Sequence, residues 1–375
     1  MKSVLALLLS MSLAACGPKT GQGLVNAQQS SDIRSDLNFG NAKNVIFLIG
    51  DGMGLTQITA GMYNNNNKTA LEHFPIVGLH KCHSFNNLVT DSAAGATAFA
   101  SGVKTVNGAI GVDHTGARKE TLLEEAERKG LSTGLIATST IVHATPAAFV
   151  SHVPNRRLYE EIALDMMDTE VDVIIGGGKA FFTRREDEKD LYSDLRSRNY
   201  QVKDYLDDDL KNIDFPENSN FAYFTADKDP LPRAQGREYL IPATKKTLEF
   251  LGNRSPKGFF VMIEGSQIDW GGHANNAEYV LDEFDEFDKV IKMCMDFAKS
   301  NGETLVVVTA DHETGGLAIN PESTMRNLKT AFTTGGHTAT LIPVFAYGPG
   351  AERFSGIYDN TEIYKKFRQA YGWKK

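Results

Sequence analysis

The chain of 375 residues carries 39 Lys and Arg against 47 Asp and Glu, a formal charge of −8, with 41% hydrophobic and 23% charged residues. This is the composition of an ordinary globular protein and argues against wholesale disorder or a fibrous chain. The acidic balance, without a long basic run, argues against a nucleic-acid binding module, and beyond residue 15 no apolar stretch is long enough to cross a bilayer.

From the N-terminus, residues 1–15 combine one lysine (Lys2), the apolar run Val4–Leu9 and the small residues Ala14 and Ala15 before Cys16. That order describes an export signal. Cys16 directly after Leu13-Ala14-Ala15 resembles the lipobox of bacterial lipoproteins, so the expectation is an exported, periplasmic protein, lipid-anchored at Cys16. A plain secretory signal with a chance cysteine is the alternative. Residues 16–40 are polar and small and read as a tether. Firm anchoring would need at least two acyl chains. Cys82 and Cys294 lie too far apart to signal a disulfide framework, and their pairing is left open.

Asn44–Ile49 is a continuous apolar run ending at Gly50-Asp51-Gly52, the pattern of a strand buried on both faces. Similar runs follow at 134–137, 171–175, 259–263, 305–308 and 341–346. Helical patterns lie between them at 120–129, 157–167, 239–251 and 279–299. Alternation of this kind predicts an α/β fold, a three-layer α/β/α sandwich around a large, mostly parallel sheet. The expectation is one domain over residues 41–375, with a charged, weakly patterned and solvated peripheral section at 183–235.

Ligands of open α/β sheets bind at strand ends, and the chemically loaded segments lie there. Gly50-Asp51-Gly52-Met53-Gly54 resembles a dinucleotide turn, but Asp51 would repel a pyrophosphate and suits a cation better. Thr90-Asp91-Ser92-Ala93 places Ser92 at the expected start of a helix of small residues, as an anion-site hydroxyl or a simple cap. His143 and Thr145 share a proline-marked turn. Glu264 precedes Asp269-Trp270-Gly271-Gly272-His273, and Asp311-His312 and the glycine-flanked His337 complete the set. Mixed His and Asp suit Zn2+, whereas Thr, Glu and Asp oxygens suit Mg2+. Arg156 and Arg157 are equal candidates for a phosphate clamp. His73, His80, His83, His114 and His152 read as structural.

Together these segments resemble the alkaline phosphatase family, in the bacterial form with His in His143-Ala144-Thr145-Pro146 and Trp after Asp269. The likeness runs over about residues 43–350. It implies metal-dependent hydrolysis of phosphate monoesters with two Zn2+ and one Mg2+ per subunit. Ser92 would be the nucleophile that becomes a phosphoserine. Asp269, His273 and His337 would hold one Zn2+, and Asp51, Asp311 and His312 the other. Asp51 would also bridge to Mg2+ with Thr145 and Glu264, and His143 would lie at or just outside that shell. Arg156 would bind phosphate, Trp270 sits at a rate-tuning position, and a homodimer is implied. Related phosphodiesterases usually have Thr as nucleophile and lack the third-metal ligands, so Ser92, Thr145 and Glu264 point to monoesters. A phosphate-binding lipoprotein without turnover is the rival from another class.

Overall fold

A computed structural model describes residues 40–374; the expected export signal at 1–15, Cys16 and the expected tether up to residue 39 lie outside the described residues. Fourteen strands are present among them: β1 (Asn44–Gly50), β2 (Ile76–Lys81), β3 (Ser132–Thr140), β4 (Val173–Gly177), β5 (Tyr200–Asp204), β6 (Asn220–Phe224), β7 (Phe259–Gly265), β8 (Thr304–Thr309), β9 (Glu313–Thr314), β10 (Ala318–Ile319), β11 (Thr330–Ala331), β12 (His337–Thr338), β13 (Leu341–Tyr347) and β14 (Gly356–Asp359). Ten of them form one sheet in the order β14-β2-β13-β8-β1-β7-β3-β4-β6-β5. Only β13 runs against its neighbours, pairing antiparallel with both β2 and β8.

The period of two along β1 shows how the layers form. Val45, Phe47 and Ile49 join one buried apolar cluster, while Ile46 and Leu48 join a second. Successive side chains of a strand point to opposite faces, so the two clusters lie on opposite faces of the sheet. The first takes Phe99 of helix Ser92–Ser101, Leu122 and Leu123 of helix Leu122–Arg128, and Phe367 of helix Glu362–Ala370. The second takes Phe284, Phe287 and Ile291 of helix Ala277–Asn301 and Leu248 of helix Leu240–Arg254. The architecture is therefore the expected α/β/α sandwich. Phe47 is fully buried, edge-on to Phe99, Phe149 and Phe367 at centroid distances of 5.7, 6.2 and 4.9 Å. Burying one such side chain contributes about 1.5–3 kcal/mol.

The central strands lie where the apolar runs predict them, with β4 shifted two residues toward the C-terminus of its run. Residues 183–235 differ from expectation. They supply β5 and β6, which extend the sheet at one edge, and all five residues of β6 are buried. The short aromatic run Phe221-Ala222-Tyr223-Phe224 is a buried strand between charged loops, and the loops dominated the composition. Strands β2 and β14, at the opposite edge, are half-exposed and mix Gly, His and charged residues, which hides them from an apolar-run criterion.

Candidate active site

Strands β8, β1, β7 and β3 are adjacent and parallel, so their C-terminal ends line up. Ile49 pairs with Glu264 on one side and Thr309 on the other, and Ala137 pairs with Glu264. This register brings Asp51, Glu264, Asp311-His312 and the His143–Thr145 turn to one end of the sheet. Asp269 and His273 stand one turn apart on helix Gln267–His273, on the same face. The glycine at 52 is required here. Its φ is +70°, and a Cβ would lie 2.8 Å from the Asp269 Cα. The Gly50–Gly54 turn thus lets Asp51 meet the Asp269 helix and does not cradle a dinucleotide.

Three groupings of candidate metal ligands result among the described residues: Asp269, His273 and His337; Asp51, Asp311 and His312; and Asp51, His143 and Glu264. Within each, the ligand atoms lie within 4.8 Å of one another. In the first, His273 Nδ1 is 2.7 Å from the Gly335 carbonyl and His337 Nδ1 is 2.9 Å from that of Thr90. A carbonyl only accepts, so both rings carry a proton on Nδ1 and turn Nε2 inward. The two Nε2 atoms are 3.1 Å apart, with Asp269 oxygens 3.3 and 3.6 Å from them. With Nε2 unprotonated these atoms all accept, and facing one point they call for positive charge between them, a proton or a cation. Its hydrogen bond to Asp269 pushes His273 up to about 9, whereas burial pushes His337 down to about 4.

The second and third groupings share Asp51. His312 Nε2 is 3.1 Å from Asp311 Oδ2 and 3.6 Å from Asp51 Oδ1, and all three side chains are fully buried. Both Asp51 oxygens, Asp311 Oδ2 and Glu264 Oε1 are buried without a hydrogen-bond partner. Burial raises Asp51 well above the usual carboxylate range, and Asp311, Asp269 and Glu264 add to the rise. Burial likewise pushes Glu264 up to about 7. Orphaned, mutually repelling carboxylates are costly unless cations occupy the space between them. The donor set therefore fits metal ions: imidazole and carboxylate in two groupings, oxygen-rich in the third. Thr145 is buried in the one-turn helix Ala144–Ala147. His143 Nε2 is 3.2 Å from Arg156 Nη2. A guanidinium only donates, so that nitrogen accepts, and burial with the Arg156 charge pushes His143 down to about 3.

Ser92 is the first residue of its helix, yet it is not the cap. The Asp91 carboxylate accepts from the Ala94 N–H at 3.0 Å, which leaves the Ser92 hydroxyl free. Ser92 Oγ lies 3.3 Å from His312 Nε2. The other Asp91 oxygen accepts from Arg156 Nη1 and the Gly108 N–H, both at 3.0 Å. Arg156 is thereby turned to the site, whereas Arg157 is exposed, which separates two residues that the sequence leaves level. Trp270 is half-buried with its ring 6.3 Å from that of His143.

Sequence reasoning missed the residues that hold the candidate ligands. Thr314 donates to Asp269 Oδ1, and Ser266 and Ser139 donate to Glu264 at 2.6 and 3.4 Å. Nothing in the sequence marks these hydroxyls. Asp91 carries a cap signal, an Asp ahead of a helix of small residues, but Ser92 carries one too, and the sequence does not choose between them. The other histidines are away from the groupings: His80 Nε2 bonds the Ala310 carbonyl at 2.9 Å, His152 bonds Gly111 and Glu124, His83 pairs with Asp359, His114 stacks on Phe85, and His73 is exposed. Cys82 and Cys294 are free and buried.

The alkaline phosphatase family model matches residues 42–331. The chain is 35% identical to alkaline phosphatase 3 of Bacillus subtilis (strain 168) over 417 residues, covering 88% of each chain. The solved alkaline phosphatase of the Antarctic bacterium TAB5 is 43% identical, with a TM-score of 0.84 over 89% of this chain and all of that one. A His-to-Asp mutant of that TAB5 enzyme, also solved, has Mg bound in a site called M3. With this agreement in sequence and fold, and with metal-ligand groupings at its strand ends, the chain belongs to the alkaline phosphatase family of phosphomonoester hydrolases.

Proposed function

We propose that this protein hydrolyses phosphate monoesters by two successive displacements through a phosphoserine at Ser92, with two Zn2+ and one Mg2+ per subunit. Asp269, His273 and His337 would hold one Zn2+; Asp51, Asp311 and His312 the other; and Asp51, Thr145 and Glu264 the Mg2+, with His143 beside it. Mg in the M3 site of the TAB5 mutants supports the third ion. Bound there, the cations would neutralise the attacking and leaving oxygens and lower the pKa of a coordinated hydroxyl or water.

The observation that carries the reading is the Ser92 hydroxyl, relieved of capping by Asp91 and set against His312. In the first displacement Ser92 Oγ bonds to phosphorus, and the ester oxygen departs with its electron pair and takes a proton. In the second, a water oxygen bonds to phosphorus and Ser92 Oγ departs, regaining its proton and releasing inorganic phosphate. Arg156, held by Asp91, would donate to two non-bridging oxygens. The N-terminus of helix Ser92–Ser101 would favour the same negative charge through free N–H groups. Little in this scheme reads the leaving group, so broad substrate range follows.

Hydrolysis of a chromogenic monoester from neutral pH to about pH 10, before and after chelation, tests the reading. Turnover lost on chelation and restored by Zn2+ and Mg2+, with phosphate trapped on Ser92 in a mass spectrum, is the expected result. A folded, zinc-loaded protein that binds phosphate without turnover, or that prefers diesters tenfold, would overturn it. The residues around Cys16 further support export and a lipid anchor there, which the mass of the mature N-terminal peptide would test. A homodimer follows from the family likeness, and light scattering would check it.

A further inference from the structure

Glu313 follows two candidate ligands, Asp311 and His312, and is itself absent from the ligand groupings. Its side chain is 4% exposed, and every group that reaches its carboxylate is neutral. Oε1 accepts from Gln57 Nε2 at 2.6 Å and the Leu317 N–H at 3.2 Å. Oε2 accepts from the Gly316 N–H at 3.1 Å and from the Thr338 hydroxyl. Donors converge on both oxygens, as suits a carboxylate; an amide would set its own N–H groups against the Gly316 N–H. Gly54 makes the approach possible, because a Cβ there would lie 2.3 Å from Glu313 Cγ.

These bonds converge on the segment that carries His337. Strand β12 is two residues long and pairs with β9, His337 opposite Thr314 and Thr338 opposite Glu313. Its flanks are largely exposed, and so short a ribbon is marginal by itself. Asp269 and His273, in contrast, are fixed by a helix. Gln57 also donates to the Thr314 carbonyl at 2.7 Å, so helix Leu55–Asn64, β9 and β12 meet at one buried carboxyl group.

We infer that Glu313 is a positioning residue for His337: through the Thr338 hydroxyl it sets the place of that imidazole opposite His273 and Asp269. The inference rests on reading Asp269, His273 and His337 as one zinc ligand set. Loss of the bond lets β12 shift against β9, which loosens that one site and leaves the Asp51, Asp311 and His312 set intact.

The test is competition for Zn2+ between the metal-free full chain and a chromophoric chelator, for wild type, His337→Ala, Glu313→Gln, Thr338→Val and Thr338→Ser. His337→Ala identifies which of two bound zinc ions belongs to this set. Glu313→Gln and Thr338→Val should weaken that ion about ten- to a hundredfold, the range for groups that orient metal ligands, and leave the other unchanged. Thr338→Ser keeps the hydroxyl and should bind like wild type. If Glu313→Gln folds poorly, Thr338→Val decides alone, since it removes one bond from a half-exposed residue. Wild-type zinc affinity in Thr338→Val alongside a loss in His337→Ala would overturn the inference and spare the ligand set. Equal weakening of both ions would also overturn it, by making Glu313 a support of the fold at large. Unchanged zinc binding in His337→Ala would remove His337 from the ligand set, and the inference with it.

Discussion

The Nε2 atoms of His273 and His337 face each other across 3.1 Å, although the residues are 64 apart in sequence. Each ring is locked in that direction by a backbone carbonyl at its other nitrogen. Second partners of this kind fix the tautomer before any ion arrives. The site is prepared for positive charge by the fold around it.

Removing the metals should therefore destabilise the fold. Both Asp51 oxygens, one Asp311 oxygen and one Glu264 oxygen are buried without a donor, and without cations the repulsion among these carboxylates is uncompensated. A tightly bound ion at a thousandfold above its dissociation constant stabilises by about 4 kcal/mol. Thermal unfolding should show a clear fall in midpoint after chelation, recovered on adding Zn2+ and then Mg2+. An unchanged midpoint would speak against metal occupancy of these groupings.

Ser92→Ala should abolish the phosphoenzyme and lower turnover by about a hundredfold or more, with zinc content near wild type. The fold should be intact, because the helix start belongs to Asp91 and the Ser92 hydroxyl caps nothing. Phosphate trapping and metal analysis on the same sample check both halves, and a wild-type rate would remove Ser92 from the scheme.

Asp91 does two jobs that substitution can separate. Asn at 91 can still cap the helix but loses the charge that pairs with Arg156. Asp91→Asn keeps an acceptor for the Ala94 N–H but turns its amide N–H groups toward Arg156 and the Gly108 N–H, so it should weaken inhibition by inorganic phosphate several-fold, whereas Asp91→Ala should also lose the cap, at about 1 kcal/mol in urea unfolding. Arg156→Lys should resemble Asp91→Asn in weakening phosphate, since an ammonium cannot grip two oxygens in a fork.

His80 predicts a pH dependence of stability. Burial pushes it down to about 4 from 6.5, against the opposing pull of the Ala310 carbonyl and the Asp311 charge, with Lys104 nearby adding to the fall. Between those values the unfolded chain binds a proton that the folded chain does not, so stability is full above about pH 6.5 and falls toward pH 4. His80→Gln can still donate to Ala310 but does not titrate. Its urea-unfolding free energy, measured on metal-free protein, should fall less steeply than wild type over that window, by up to about 1.4 kcal/mol per pH unit. Parallel curves would contradict the assignment.

Much of the fold was legible before any coordinates. Runs such as Asn44–Ile49 and Phe259–Ile263 announce strands buried on both faces, because side-chain alternation is suppressed when both faces are covered. The candidate ligands stand directly after those runs, and His273 follows Asp269 at a helical spacing. Local periodicity records such facts because it reflects what each short segment must bury.

Only the tertiary structure decided which segments meet. Asp51 and Asp311 are 260 residues apart, and the register of β1 on β8 brings them together. The cap at Asp91, the choice of Arg156 over Arg157, and the support from Thr314 and Glu313 depend on where a polar side chain ends after packing. A hydroxyl or carboxylate has the same local signature whether it faces solvent or a ligand. The same holds for β6, whose burial comes from lying between β4 and β5, which no window of a few residues contains.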